Sequence, residues 1–127
     1  MDFPASTANL VTLDHEFDTI LDPNAASQVI SAQIWVETGS QHESALAGSG
    51  ISHLLEHMVF KGTDRFSGEA LSQEVQAAGG QWNAYTSFDR TVYYIDGPAK
   101  SLDLFLSALI EMVFRPTFPK DEYEKEK

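Results

Sequence analysis

The sequence predicts an α+β domain, an antiparallel or mixed sheet covered by helices on one side. Three observations carry this. The predicted elements run as strands, then two helices, two strands and two more helices, an order that groups strands instead of alternating them with helices one by one. The stretch Val29–Val36 puts Ile30, Ala32, Ile34 and Val36 on one face at the period of two that marks a half-buried strand. The stretch 98–114 carries Leu102, Phe105, Leu106, Leu109, Ile110 and Val113 at helical spacing. With 127 residues, 43% of them hydrophobic, the chain has enough apolar mass for one core.

In chain order, residues 1–8 are small and polar and carry no periodic signal. Leu10–Leu13 and Phe17–Leu21 alternate weakly and read as a hairpin, and Asp22-Pro23-Asn24 is a turn. Val29–Val36 is a strand that Gly39-Ser40 ends. Gly48-Ser49-Gly50 leads into a helix over 49–60, which Lys61-Gly62-Thr63 closes with a cation and a glycine. Ser67 is a good N-cap for a second helix with Leu71, Val75 and Ala78 inward, stopped by Gly79-Gly80. Trp82–Ser87 and Thr91–Ile95 read as strands around Phe88-Asp89-Arg90. Gly97-Pro98 then leads into the long helix, which Arg115-Pro116 breaks, and a charged helix starts near Pro119. There is no internal repeat and no linker that would divide the chain.

The chemistry lies in His53-Leu54-Leu55-Glu56-His57. Two histidines four apart on a helix share one face, so both rings can reach one metal ion. Glu56 lies about 60° around the axis from His53 and about 100° from His57, close enough to lean toward the same place without joining the ligands. Zinc suits imidazole and carboxylate donors that leave one position open, and a carboxylate beside it can take a proton from water. Met58, Val59 and Phe60 continue an apolar stretch with Ile51, Leu54 and Leu55, so part of this helix is expected to be buried. His15 and His42 have no ligand spacing and read as surface histidines, and Glu37 and Glu43 read as solvent-facing.

The order H-x-x-E-H is that of the inverzincins. The run Gly50 to Thr63 resembles the active-site signature of the pitrilysin–insulinase family of zinc peptidases, to which the mitochondrial processing peptidase belongs. Val36-Glu37-Thr38-Gly39-Ser40 with Glu43, Ala78 to Ser87, Arg90 to Tyr94, and Phe114-Arg115-Pro116 with Phe118 to Lys127 are similar to further segments of that family. His15-Glu16 departs from it, standing where the family has an Asn-Gly turn.

The resemblance implies a zinc-dependent endopeptidase acting on unfolded peptides. Zinc is held by His53 and His57, and Glu56 acts as the catalytic base. Asn83, Ala84, Tyr85 and Thr86 form an edge strand on which substrate lies, against the plainer reading of a core strand, and Asn83 orients a substrate carbonyl. The resemblance places the third zinc ligand, a glutamate, a few residues past Lys127, and makes Glu126 a supporting residue near the site. Residues 1–127 are thus expected to be the N-terminal part of an incomplete metallopeptidase domain, weak in zinc binding and with little activity alone, that works with a second domain or partner subunit. The alternative is a non-catalytic subunit or scaffold of the same fold; members of that kind usually lose the H-x-x-E-H residues, which are kept here. A metal-binding module without hydrolytic activity is a third, weaker reading.

Composition excludes other classes. Nineteen Asp and Glu against eight Lys and Arg give a net charge of −11 and a pI near 4.5. Nucleic acid and anionic membrane surfaces need clustered cations, so neither is an expected partner. No cysteine is present, which removes disulfides and thiol chemistry. No apolar run of about eighteen residues predicts a membrane span, and the N-terminus lacks the basic and apolar regions of a signal peptide, so the expectation is a soluble chain of open location.

Overall fold

The strand over Val29–Val36 forms as its alternation predicts and pairs with the chain's most buried strand. The computed structural model describes residues 7–13 and 17–126. Its strands are β1 (Asn9–Leu13), β2 (Phe17–Leu21), β3 (Val29–Val36), β4 (Gln81–Thr86) and β5 (Thr91–Pro98). Its α-helices are α1 (Ile51–Val59), α2 (Gly68–Ala77), α3 (Leu102–Phe114) and α4 (Lys120–Glu126). Short 3-10 segments, Ser40–Leu46 and Ala99–Ser101, lead toward α1 and α3.

The main sheet is antiparallel throughout, in the order β3-β5-β4, so β5 is central and β4 is an edge. Register puts Ala32, Ile95 and Trp82 on one row and Ile34, Tyr93 and Ala84 on the next. These rows face the helices. Val59 of α1, Leu71 and Val75 of α2, and Phe105, Ala108, Leu109 and Met112 of α3 complete one buried cluster with them. Burial of this apolar surface is the main stabilising term of the unit. The other face carries Ser31, Gln33 and Trp35 toward solvent. The expected α+β fold with helices on one side is therefore observed. The hairpin also forms, as a separate two-stranded sheet pairing Leu13 with Phe17 and Asn9 with Leu21. The His15-Glu16 turn lies outside the described residues.

Three local expectations need correction. Gly97-Pro98 does not open the long helix; β5 runs through both, and α3 starts at Leu102. The cause is packing: a Cβ on Gly97 would come within 2.7 Å of the Phe105 ring, so the bare glycine lets β5 continue beneath α3. The core face of α3 is also narrower than predicted. Phe105, Ala108, Leu109 and Met112 are inside, but Leu102, Leu106 and Ile110 are exposed, because a helix lying on a sheet buries one stripe and the next stripe faces outward. Finally, Glu43 does not face solvent as Glu37 does; it is only 7% exposed, held inside by backbone donors that its sequence position gives no hint of.

Candidate active site

The site is built where α1 crosses the edge strand β4. Helix α1 begins after Gly50, whose φ of 75° is a left-handed turn that suits glycine. Its buried residues Met58 and Val59 fix its roll, and Phe60, just beyond it, packs edge-on against Trp82 with ring centres 5.1 Å apart. That roll leaves His53 and His57 exposed along one stripe and Glu56 half-buried between the helix and the sheet.

The structure brings the histidine pair together as the spacing predicts. Nε2 of His53 and Nε2 of His57 face each other at 2.8 Å. Nδ1 of His57 lies 2.8 Å from Oε2 of Glu126, in α4. An ionised carboxylate only accepts, so Nδ1 of His57 is the donor to Glu126. Glu126 is itself gripped by Lys61, whose Nζ is 2.6 Å from Oε1 and 3.6 Å from Glu122. Lys61, and after it His57, hold the Glu126 carboxyl below its ordinary value, and Glu126 in turn raises the Lys61 ammonium.

Glu56 leans against the sheet while lining the same cleft as His57. The Thr86 hydroxyl donates to its carboxylate. Thr86 Oγ1 sits 3.4 Å from Oγ1 of Thr91, whose own proton goes to the Thr38 carbonyl at 2.9 Å, so the two hydroxyls lie side by side while Glu56 is bonded to the end of β4. Below them lies Tyr93. Burial, with the Glu56 charge adding to it, pushes its phenol up to about 12.

Glu56, His57, Phe60, Lys61, Trp82 and Asn83 line one open cleft. Of the predicted substrate residues, Ala84 and Thr86 share the helix-facing side of β4, and Asn83 and Tyr85 share the other. The Ala84 N–H is not part of the ladder with β5; it donates to Oδ1 of its neighbour Asn83 at 2.9 Å. Among the described residues no strand pairs with the outer edge of β4, and there the Asn83 side chain takes up the Ala84 donor.

The donor set fits part of a zinc site. Two imidazole nitrogens about 2.0–2.1 Å from one ion stand about 3.3 Å apart in tetrahedral geometry, so a small opening of the 2.8 Å pair would suffice. Among the described residues no group of three or more His, Cys, Asp or Glu converges on one point, so Glu126 buttresses His57 and does not complete a ligand set.

Sequence reasoning missed Lys61 as part of the site. The signal was present: His53, His57 and Lys61 repeat every four residues, one helical stripe. It also missed Glu122 and the Glu56 partner role of Thr86. His42 is an ordinary surface histidine whose Nδ1 accepts the Gly39 N–H, and His15 lies outside the described residues. No helix among the described residues is long and apolar enough to cross a membrane.

The family model described as Insulinase (Peptidase family M16) matches residues 19–127. The zinc protease YmxG of Bacillus subtilis is 38% identical over 108 residues, covering 85% of this chain and 26% of that protein. A probable mitochondrial-processing peptidase subunit beta of Arabidopsis thaliana is 31% identical over 123 residues, covering 97% and 23%. A crystal structure of a protease from Helicobacter pylori superimposes with a TM-score of 0.87 at 31% identity, over 95% of this chain and 29% of that one. The chain thus spans about a quarter of the length of these relatives. On the extent of the match and the likeness of fold, the chain belongs to the insulinase family of peptidases.

Proposed function

We propose that this chain carries the zinc-binding and proton-transfer part of a metalloendopeptidase that cuts unfolded peptides. The observation that supports this best is the pairing of two facing imidazole nitrogens with a carboxylate on the same helix, at the mouth of a cleft beside an open sheet edge. His53 and His57 would hold zinc, with a further ligand from outside the described residues. Zinc, when bound, would polarise a peptide carbonyl and make a water more acidic.

The chain's own residues do the rest. Glu56 takes the proton from the attacking water and passes it to the departing amine. Thr86 keeps the Glu56 carboxylate against β4, where that proton is exchanged. Glu126 keeps the His57 ring in one tautomer and one orientation, as carboxylates behind metal-binding histidines do. Substrate joins the sheet as an added strand on β4, reading backbone more than side chains. Asn83 leaves the Ala84 N–H and turns to a substrate carbonyl, freeing an edge donor as it goes. A second domain or partner subunit completes the site. The name of the Arabidopsis relative, a subunit beta, supports assembly of that kind.

The decisive experiment is Glu56→Gln in the full-length protein, measuring zinc content and peptide turnover together. Zinc is expected to remain and turnover to fall about a hundredfold to ten-thousandfold, because an amide of the same shape accepts no proton. Loss of zinc would make Glu56 a ligand, and retained turnover would remove it from the reaction.

A further inference from the structure

Glu43 is a buried carboxylate that the proposed reaction does not use. It is 7% exposed and lies in the 3-10 segment before α1. Its Oε2 accepts the Gly48 N–H at 3.1 Å and its Oε1 accepts the Ser52 N–H at 3.1 Å. Hydrogen bonding from Ser52 is the main reason its carboxyl sits below the ordinary value, against the opposing effect of burial.

The start of α1 has no cap of its own. Gly50, in the cap position, has no side chain to satisfy the free N–H groups of the first turn. Gly48 and Gly50 both take positive φ, and nothing lies within 4 Å of where their Cβ atoms would be. Two backbone bonds inside the loop, from the Ala47 N–H to the Ser44 carbonyl and from the Ser49 N–H to the Leu46 carbonyl, are joined by the carboxylate, with one oxygen on each side of the glycine turn. A negative charge there also suits the helix dipole.

Glu43 is in turn anchored to the sheet. The Ser40 N–H donates to the Ser87 carbonyl at 3.2 Å and the Gln41 N–H to the Phe88 carbonyl at 3.0 Å. A Cβ on Gly39 would lie 2.3 Å from the Ser87 oxygen, so this close approach requires glycine. The β4–β5 turn thus holds α1 by two routes. One runs from Thr86 directly to Glu56. The other runs from Ser87 and Phe88 through Ser40 and Gln41 to Glu43, and on to Ser52, the residue before His53.

We propose that Glu43 is a positioning residue: by clamping Gly48 and Ser52 it fixes where α1 begins and, together with buried Met58 and Val59 at the other end, holds the rotation that brings Glu56 and His57 to the cleft. This rests on the reading of His53, Glu56 and His57 given above. Glu43 touches no reacting atom, and its effect passes through the backbone of α1.

The test compares Glu43→Ala and Glu43→Gln with the wild-type full-length protein. In metal-free protein, amide hydrogen exchange at Gly48 and Ser52 should quicken at least about tenfold in Glu43→Ala, while the β5 amides stay protected. With zinc, kcat should fall about ten- to a hundredfold with KM changed less than about threefold. Glu43→Gln keeps one acceptor for one of the two donors and should recover most of the lost kcat. A folded Glu43→Ala protein with kcat within about twofold of wild type would overturn the proposal. So would exchange that quickens equally throughout the sheet, which marks general stability. If Glu43→Ala does not fold, Glu43→Gln decides: unchanged exchange at both Gly48 and Ser52 together with unchanged kcat overturns the proposal. Absence of zinc-dependent turnover in the wild-type protein would instead defeat the peptidase reading, while exchange at Gly48 and Ser52 still reads the clamp.

Discussion

Thr86 donates a hydrogen bond to Glu56, joining the last residue of the edge strand to the carboxylate of the motif helix across thirty positions of sequence. Thr86→Val keeps the shape of the side chain and removes the donor. In the full-length protein, kcat should fall on the order of tenfold with zinc content unchanged, the scale of one hydrogen bond to a charged group. Paired kinetics and metal analysis check this; equal kcat would leave the contact without a catalytic part.

His53→Ala and His57→Ala should each abolish zinc binding by the full-length protein, since either change leaves a single imidazole. Calorimetric titration measures it, and unchanged affinity in either variant would contradict the ligand assignment.

Lys61→Met should weaken zinc binding about tenfold without touching a ligand. Lys61 grips Glu126, and Glu126 orients His57. Loss of such outer support typically costs ten- to a hundredfold in metal affinity. A competition assay against a chelator would register the change, and parity with wild type would show that Glu126 holds His57 unaided.

Tyr93 gives a prediction at alkaline pH. Its folded value of about 12 is above the ordinary 10.0, so the folded state keeps its proton where the unfolded chain has lost it. Stability should be fully present below about pH 10, decline as pH rises to about 12, and then level off. The shift corresponds to about 2–3 kcal/mol. Chemical unfolding of the wild type and Tyr93→Phe at a series of pH values tests this: the phenylalanine variant should lack that part of the decline.

The legible parts of this chain were those with short periods. Val29–Val36 alternated and became β3; Ser67 announced α2 and caps it through the Ala70 N–H at 3.2 Å. His53 and His57, one turn apart, met as the helix required. What stayed hidden depended on distant partners. Glu43 has no periodic relation to Ser52, and its burial follows from the docking of Gly39 on the β4–β5 turn. Leu106 and Ile110 looked like core because spacing marks an apolar face but not its width, which the sheet decides. Lys61 reads alone as a helix-ending cation until α4 arrives with Glu126.

The wide spacing of the partners also bears on the order in which the molecule assembles. The histidine pair lies within one short helix, and such a helix forms and dissolves in under about a microsecond. The support of His57 waits for a residue 69 positions later. The sheet behind it waits for β5 to reach back to β3, pairing Val36 with Thr91 and Val29 with Pro98. Long loops must close before such pairings form, which slows them. On a chain emerging from the ribosome at about 5–20 residues per second, the two imidazoles are therefore present for seconds before Lys61, Glu126 and the sheet set them in place. The histidine stripe is made early and aligned late, so a nascent chain holds the ingredients of the candidate site well before it holds the site.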